Sequence, residues 1–562
     1  PKHKLMKKNR FHVILIKPSK YADDGYVIRW WRAVVTSNSL ACLVSLTEDV
    51  RKRKLLGEDV ELVTHIYDET VQRIPVQKLC RKIMRAGERG IVSLAGVQSN
   101  QFPRALDLAA QFKRGGLPVM IGGFHVSGIT AMLPEKIGEL TEAAKGITLV
   151  AGEVEEHWHE ILKDAYENRF KGFYNFLAAK PELRGVPGPL MNRANLKYFI
   201  NTHSSFDAGR GCPFRCSFCT IINVQGNTMR PRSADDIERL IRENHKQGIT
   251  HFFITDDNFA RNKEWEAIAD RLIRLKEKEG FRCSLMLQTD TMAHKIPGFI
   301  EKMTRAGCRR VFIGMESVNP ENLDACGKRQ NKLDEYRRML QAWRNHGALT
   351  CAGYIIGFPG DTHETVMRDI EFLKREIPLD LAEFFILTPL PGSEDHQKMT
   401  RAGVPMDRDL NRYDADHVVM NHPRMSRTEW ERTYQDAWKS FYSREHCLTL
   451  LKRRYGPRQR LVFSSLVWFR SAFFLTGVHP LLSGYFRIKN RKDRRPGMPL
   501  EPIPVYYTKC LVEFFKYSLG MIGMIWKLWR LVREARKPEY ADYQDVAIRP
   551  ETNSPLSSKQ AA

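Results

Sequence analysis

Three cysteines in the stretch Cys212-Pro-Phe-Arg-Cys216-Ser-Phe-Cys219 carry the densest chemistry in the chain. Their C-x3-C-x2-C spacing brings three thiolates to one small centre and supplies no fourth ligand nearby. A structural zinc site is closed by four Cys or His ligands, and an electron-transfer 4Fe-4S cluster by four cysteines. A cluster with one iron lacking a protein ligand can instead bind a small molecule directly. The competing readings are a zinc knuckle completed from a distance by His203 or Cys283, and three incidental buried thiols. Gly209, Arg210 and Gly211 read as a flexible lead-in, because glycine lets backbone wrap closely around a cluster.

Two blocks of alternating strands and helices must position that loop. In residues 1–185 the runs Phe11–Ile16, Asp59–Val63, Gly90–Leu94, Pro118–Ile121 and Ile147–Val150 are short and rich in β-branched residues, with helical patterns between several of them. That order predicts an α/β domain with a doubly wound parallel sheet, whose ligands sit outside the carboxyl ends of the strands. The strand exits there carry Ser93, Leu94, Gly96 and Gln98, then Gly122 and Gly123, then Gly152 and Glu153, small enough for a large flat ligand to reach the backbone. No Gly-x-Gly-x-x-Gly follows the first strand, which argues against a nicotinamide site. Residues 200–400 repeat the rhythm and predict a full or partial (β/α) barrel with its site at the strand carboxyl ends. Its first helix opens at Ser233 with Asp236 three positions on, a capping-box start. Polar or small groups end its strands: Asp256, Asp257 and Asn258, then Glu316 and Ser317, then Gly357.

The cysteine spacing resembles the signature of the radical S-adenosylmethionine (SAM) enzymes. The resemblance implies a 4Fe-4S cluster on Cys212, Cys216 and Cys219, with the open iron chelating the amino and carboxylate groups of SAM's methionine portion. It further implies that Phe218 packs near the adenine, that Asp256, Asp257 and Asn258 hold the methionine amino group, that Glu316 and Ser317 lie near the ribose and methionine, and that Gly357 is close to the adenine. The N-terminal block looks like the Rossmann-like cobalamin-binding domain that precedes the radical SAM domain in many proteins. On that likeness Ser93, Leu94, Gly96, Gln98, Gly122, Gly123, Gly152 and Glu153 would surround cobalamin's nucleotide tail. One motif departs from the pattern: the Asp-x-His-x-x-Gly that brings a histidine to cobalt is absent, and the loop after strand one reads Lys17-Pro-Ser-Lys-Tyr-Ala-Asp-Asp-Gly-Tyr26. His125 follows a different strand and reads as a loop residue rather than a cobalt ligand. The family chemistry implied is a 5'-deoxyadenosyl radical that abstracts hydrogen, with methylation of an unactivated carbon as its outcome. Radical cyclisation or ring rearrangement without methyl transfer is the alternative within enzymes, and a non-catalytic iron-sulfur sensor or membrane scaffold the alternative outside them. Beyond the cluster ligands no catalytic residue is named. A one-electron donor such as a flavodoxin or ferredoxin is implied as partner.

Composition bounds the rest. At 562 residues with 43% hydrophobic content, the chain can bury several cores. Eleven cysteines, the tightest group at cluster spacing, fit a reducing compartment, and Cys42, Cys80, Cys351 and Cys510 read as small buried hydrophobes. The opening segment is basic without a cleavable signal pattern, which points to the cytoplasm. The net charge of +24 suggests an anionic partner. No RNA-binding module accompanies the charge, so nucleic acid is not the expected one. Residues 425–537 mix basic clusters with aromatic runs and predict a helical C-terminal domain. It either covers the active site or lies at a membrane interface, with a lipid such as an isoprenoid as one candidate substrate and a peptide or secondary metabolite as others. Arg470, Lys509, Glu513, Lys516 and Lys527 interrupt its apolar runs, so no crossing helix is expected. The tail 538–562 is polar and reads as disordered.

Overall fold

The computed structural model describes residues 9–549 apart from 455 and 457. Its first layer is a six-stranded, all-parallel sheet of β1 (Asn9–Lys17), β2 (Val60–Asp68), β3 (Arg89–Leu94), β4 (Val119–Gly122), β5 (Thr148–Gly152) and β6 (Phe173–Phe176). The spatial order is β2-β1-β3-β4-β5-β6, so the direction of winding reverses between β1 and β3. A doubly wound sheet opens a crevice at such a reversal, outside the strand carboxyl ends. Strand β1 is buried on both faces, as parallel strands between helices must be. Phe11, Val13 and Leu15 point into one core, and Ile14 and Ile16 into the other.

The second sheet is β7 (Ser204–Phe206), β8 (His251–Ile254), β9 (Ser284–Thr289), β10 (Cys308–Glu316), β11 (Leu349–Ile356) and β12 (Leu381–Ile386), parallel and neighbouring in sequence order. With β7 and β12 left as edges, this is a six-stranded partial barrel. Phe206 and Ile254 of the barrel share one continuous apolar core with Phe11 and Val13 of β1, so the two sheets pack as one body. The helix Ala234–Lys246 begins as the sequence predicts, with Ser233 accepting from the Asp236 amide and Asp236 reaching back to the Ser233 amide.

Three features were not legible in the sequence. Trp30–Ala33 pairs antiparallel with Gly484–Arg487, joining the first fifty residues to the C-terminal region. The helix Arg427–Phe441 covers this end of the sheet: Trp430 donates its indole N–H to the carbonyl of Ile356 at the end of β11 at 3.0 Å, and Tyr442 just beyond the helix donates to the Ala382 carbonyl of the edge strand β12 at 2.7 Å. The expectation of a disordered tail is corrected for its described part. Residues 538–549 fold back on the barrel, with Asp545 paired to Arg453 at 2.7 Å and the Arg549 carbonyl accepting from Gln341 at 2.9 Å. Residues 550–562 lie outside the described residues.

Candidate active site

The cysteine loop leaves the barrel after β7 and is pinned at both ends. The Cys212 amide donates to the Gly226 carbonyl at 3.3 Å, Ser217 donates its amide to the Cys326 carbonyl at 3.0 Å, and the Asp395 amide donates to the Ser217 carbonyl at 3.1 Å. Gly211 sits at φ +95°, and a Cβ there would lie 2.4 Å from the Thr228 carbonyl oxygen, so the loop entry needs glycine for conformation and space alike. The lead-in is not flexible, contrary to expectation. Gly209 and Arg210 form a short strand against Arg230 and Pro231, and Arg210 is buried in an ion network. Its guanidinium meets Glu153 at 2.8 Å, Glu155 at 2.6 Å and Asp207 at 3.1 Å, while Arg230 also holds Glu153 and Arg232 holds Asp207.

All three cysteines are free thiols, Cys216 fully buried and the others partly. Burial pushes each thiol up, Cys219 to about 12 with the Asp257 carboxylate adding to the effect. A bound positive centre is what would release those protons. Among the described residues no group of three or more His, Cys, Asp or Glu closes on a single metal ion. His203 holds its Nδ1 3.0 Å from the Ile200 carbonyl oxygen. A donor set of three thiols without a fourth ligand fits a 4Fe-4S cluster with one open iron.

Two cavities meet over this loop. One, of about 160 Å³, lies at the carboxyl ends of the first sheet and is lined by Ser93, Leu94, Gly96, Gly122, Gly123, Gly152 and Glu153. The other, of about 480 Å³, lies between the sheets and contains Gln98 and Asp257. Asn38, Ser39, Phe124, Arg210 and Gln225 line both, so the two spaces adjoin. The structure thus gathers all eight residues proposed from sequence for cobalamin. Glu153, however, already spends its carboxylate on Arg210 and Arg230. The residues present fit a large amide-bearing ligand: Gln225 Oε1, Asn100 Oδ1 and Glu155 Oε2 are buried against these cavities without a protein partner. No histidine lines the smaller cavity. His125 lies in the helix Phe124–Met132 rather than in a loop, with its Nδ1 3.1 Å from Ser99 Oγ and its ring against Phe102.

The residues proposed for SAM divide. Asp257 lines the larger cavity, and burial pushes its carboxyl up to about 7. Asp256 turns inward, accepting from the Ala208 amide at 2.6 Å and from Asn262 at 3.2 Å, and Asn258 donates to Asp290 at 2.8 Å. Both side chains brace the loop from behind. Glu316 adopts φ +66° at a register break between β10 and β11, and is ion-paired to Lys328. Lys328 also stands over the Phe218 ring at 5.9 Å, and its positive charge favours the Cys216 thiolate. Ser317 is buried and accepts from the Asn319 amide at 3.0 Å. Gly357 sits at φ +113°, and a Cβ there would meet the Trp430 ring at 1.9 Å, so packing alone requires glycine at this position.

Sequence reasoning missed His479, Leu481 and Leu482, which enter the larger cavity from the C-terminal region beside Phe385 and Leu390. His479 stacks on Phe385 at 4.6 Å with its Nε2 buried and unpartnered. No motif marks these residues, since they reach the site only through the long-range packing of the last third of the chain.

Residues 208–373 match the Radical SAM superfamily model. The chain is 26% identical over 428 residues to the bacteriochlorophyllide d C-8(2)-methyltransferase of Chlorobaculum tepidum, covering 70% of this chain and 91% of that one. It is 24% identical over 295 residues to the hopanoid C-2 methylase of Rhodopseudomonas palustris, covering 51% and 53%. Among solved structures, the fold is shared with the radical SAM methyltransferase TsrM of Kitasatospora setae, with a TM-score of 0.53, 19% identity and 70% and 76% coverage. It is shared also with the cobalamin-dependent SAM radical enzyme OxsB, with a TM-score of 0.52, 12% identity and 95% and 82% coverage. The matching domain and a methyltransferase relative along most of the chain lead to one conclusion: residues 208–373 are a radical SAM domain, and this protein is an enzyme built around it.

Proposed function

We propose that the chain is a cobalamin-dependent radical SAM C-methyltransferase whose substrate is an apolar small molecule of the lipid class, worked on at a membrane surface. The observation that carries this reading is the adjacency of the two cavities, one at the glycine-rich exits of β3, β4 and β5 and the other beside the residues that flank the cysteine loop, with Arg210 and Gln225 in the walls of both. Relatives named as methyltransferases of bacteriochlorophyllide and hopanoid support transfer to carbon of a bulky apolar skeleton.

Cys212, Cys216 and Cys219 would hold the 4Fe-4S cluster, which with SAM supplies a 5'-deoxyadenosyl radical on receipt of one electron from a donor such as a flavodoxin or ferredoxin. Cobalamin, held over Gly96, Gly123 and Gly152, would supply the methyl group. The protein's task is orientation and exclusion of water. Arg210 fixes the loop's approach by its bonds to Glu153, Glu155 and Asp207, so the exit of β5 and the first cysteine are set by one network. Lys328 supplies a positive charge beside Cys216 and offsets part of the charge of three thiolates. Asp257 offers a carboxyl to the cavity that, at about 7, accepts or releases a proton near neutrality. Phe124, Phe385, Leu390 and Leu482 wall the larger cavity with apolar surface.

The test is anaerobic reconstitution with iron, sulfide and hydroxocobalamin. About one cobalamin per chain after desalting is expected, together with S-adenosylhomocysteine formed during turnover. Cys216→Ala is expected to keep cobalamin while losing cluster absorbance and 5'-deoxyadenosine. Cluster absorbance without retained cobalamin would sink the methylation reading and leave radical rearrangement.

A further inference from the structure

The helix Ile503–Ala535 runs for 33 residues on the outside of the molecule. Its inner face is held by Tyr517, Met524, Leu528 and Leu531, all buried, and at Gly520 the neighbouring Leu475 comes so close that a Cβ would meet it at 2.7 Å. Its outer face is apolar as well. Tyr507, Leu511, Phe515, Leu519, Ile522 and Trp526 follow one another at three- or four-residue spacing, and Leu519 and Ile522 are each 66% exposed. That stripe is about 30 Å long at the helical rise. A contiguous apolar surface of that extent marks an interaction site.

We propose that this face lies flat in the headgroup region of an anionic lipid bilayer; the proposal rests on the lipid-class reading of the active site and names the surface that serves it. Charge argues for the occupant. The helix carries five Lys or Arg against two acids, and both acids are ion-paired to other elements, Glu513 to Lys489 at 2.6 Å and Glu534 to Arg444 at 2.9 Å. Arg530 and Arg533 stack over Trp526 and Trp529, each at 4.9 Å, an arrangement in which an indole sits at the apolar boundary and a cation faces phosphate. Among the described residues no helix is long and apolar enough to cross a membrane, so the geometry is that of a helix lying on the surface.

Continuity with the active site argues the same way. Phe514 on this helix stacks on Phe486 at 5.5 Å, Phe486 meets the exposed Trp31 at 6.2 Å, and the adjoining Trp30 donates its indole N–H to the Leu482 carbonyl at 3.0 Å. Leu481 and Leu482 line the larger cavity, and Leu481 is also 40% exposed. The Trp30–Ala33 strand therefore links the helix, through Phe486, to the segment that lines the cavity, through Leu482.

The experiment is flotation of the full-length, cofactor-loaded protein with phosphatidylglycerol–phosphatidylcholine vesicles and with phosphatidylcholine alone. The expected result is flotation with the anionic vesicles, weakened by salt, and lost in Leu511→Glu/Leu519→Glu by roughly 10-fold per leucine. Both leucines are exposed, so the variant is expected to melt as the parent does. Independently of any variant, brominated phosphatidylglycerol is expected to quench tryptophan fluorescence of the parent, less so in Trp526→Phe. No flotation at low salt, or a dimer that Leu511→Glu/Leu519→Glu converts to monomer, overturns the proposal and assigns the face to a second copy. Cobalamin retention and 5'-deoxyadenosine formation are measured without vesicles in the same preparations. Their loss would count against the enzyme reading alone, whatever the vesicles show.

Discussion

Glycine 123, at the β4 exit, and glycine 211, at the entry to the cysteine loop, each stand where a single methyl group would collide with backbone. A Cβ at Gly123 would lie 2.1 Å from the Val97 nitrogen with φ at +145°, and one at Gly211 would lie 2.4 Å from the Thr228 oxygen. Strain of about 1–3 kcal/mol follows from forcing such positions, or roughly 10- to 100-fold in whatever each loop holds. Gly123→Ala is thus expected to weaken cobalamin retention while sparing cluster absorbance, and Gly211→Ala the reverse. Measuring both cofactors in both variants checks this; equal loss of both in each would show that the loops do not act separately. At this scale the sequence was most informative where chemistry demands a residue type. The glycines of the β3, β4 and β5 exits, picked out by size alone, do line one cavity, and the cysteine trio stands as free thiols. Polar residues at strand ends were read less well. Asp256, Asp257 and Asn258 share one strand exit, yet only Asp257 of the three lines the cavity, because which side chain turns inward depends on Ala208, Asn262 and Asp290.

Among the elements, the loop after β1 shows how distant segments are locked. Where a cobalt-binding histidine motif is missing, Asp23 instead meets His417 at 3.2 Å, and His417 meets Asp414 at 2.9 Å. Burial alone would depress the imidazole, but hydrogen bonds and charges from Asp23 and Asp414 outweigh it and raise His417 to about 9. A raised histidine contributes stability that is fully present below its unfolded value, about 6.5, and is lost as pH rises through the folded value. The difference in melting temperature between the parent and His417→Gln is therefore expected to be largest near pH ~6 and to close by pH ~10. Thermal melts across that range test it, and a constant difference would remove charge from the account. Strand and helix order was legible because apolar periodicity is local. The Trp30–Ala33 ribbon and the seal by Arg427–Phe441 were not, because their partners lie hundreds of residues away and leave no local pattern.

For the whole molecule, the decisive joint is the carboxylate of Glu153, which ties the first sheet to the cysteine loop through Arg210 and Arg230. From sequence that residue reads as a cofactor contact, and in the structure its carboxylate is paired with Arg210 and Arg230. Removing one partner from a buried ionic network costs about 3–5 kcal/mol. Glu153→Gln keeps the shape but not the charge, and is expected to retain both cofactors while misaligning them. S-adenosylhomocysteine formed per 5'-deoxyadenosine should fall on the order of 10-fold or more, since small misplacements are costly in group transfer. An unchanged ratio would show that alignment is set elsewhere, in the shared apolar core.

The antiparallel pairing of Trp30–Ala33 with Gly484–Arg487 also bears on how the chain comes to exist. A ribosome releases the first of these strands about 450 residues before the second, an interval on the order of 20–90 s at ordinary elongation rates. Over that time the nascent chain must hold an unpaired edge beside the exposed Trp31 without sticking to its neighbours. Yield in a foreign host should therefore depend on the pace of translation and on chaperone supply more than on the stability of the finished enzyme.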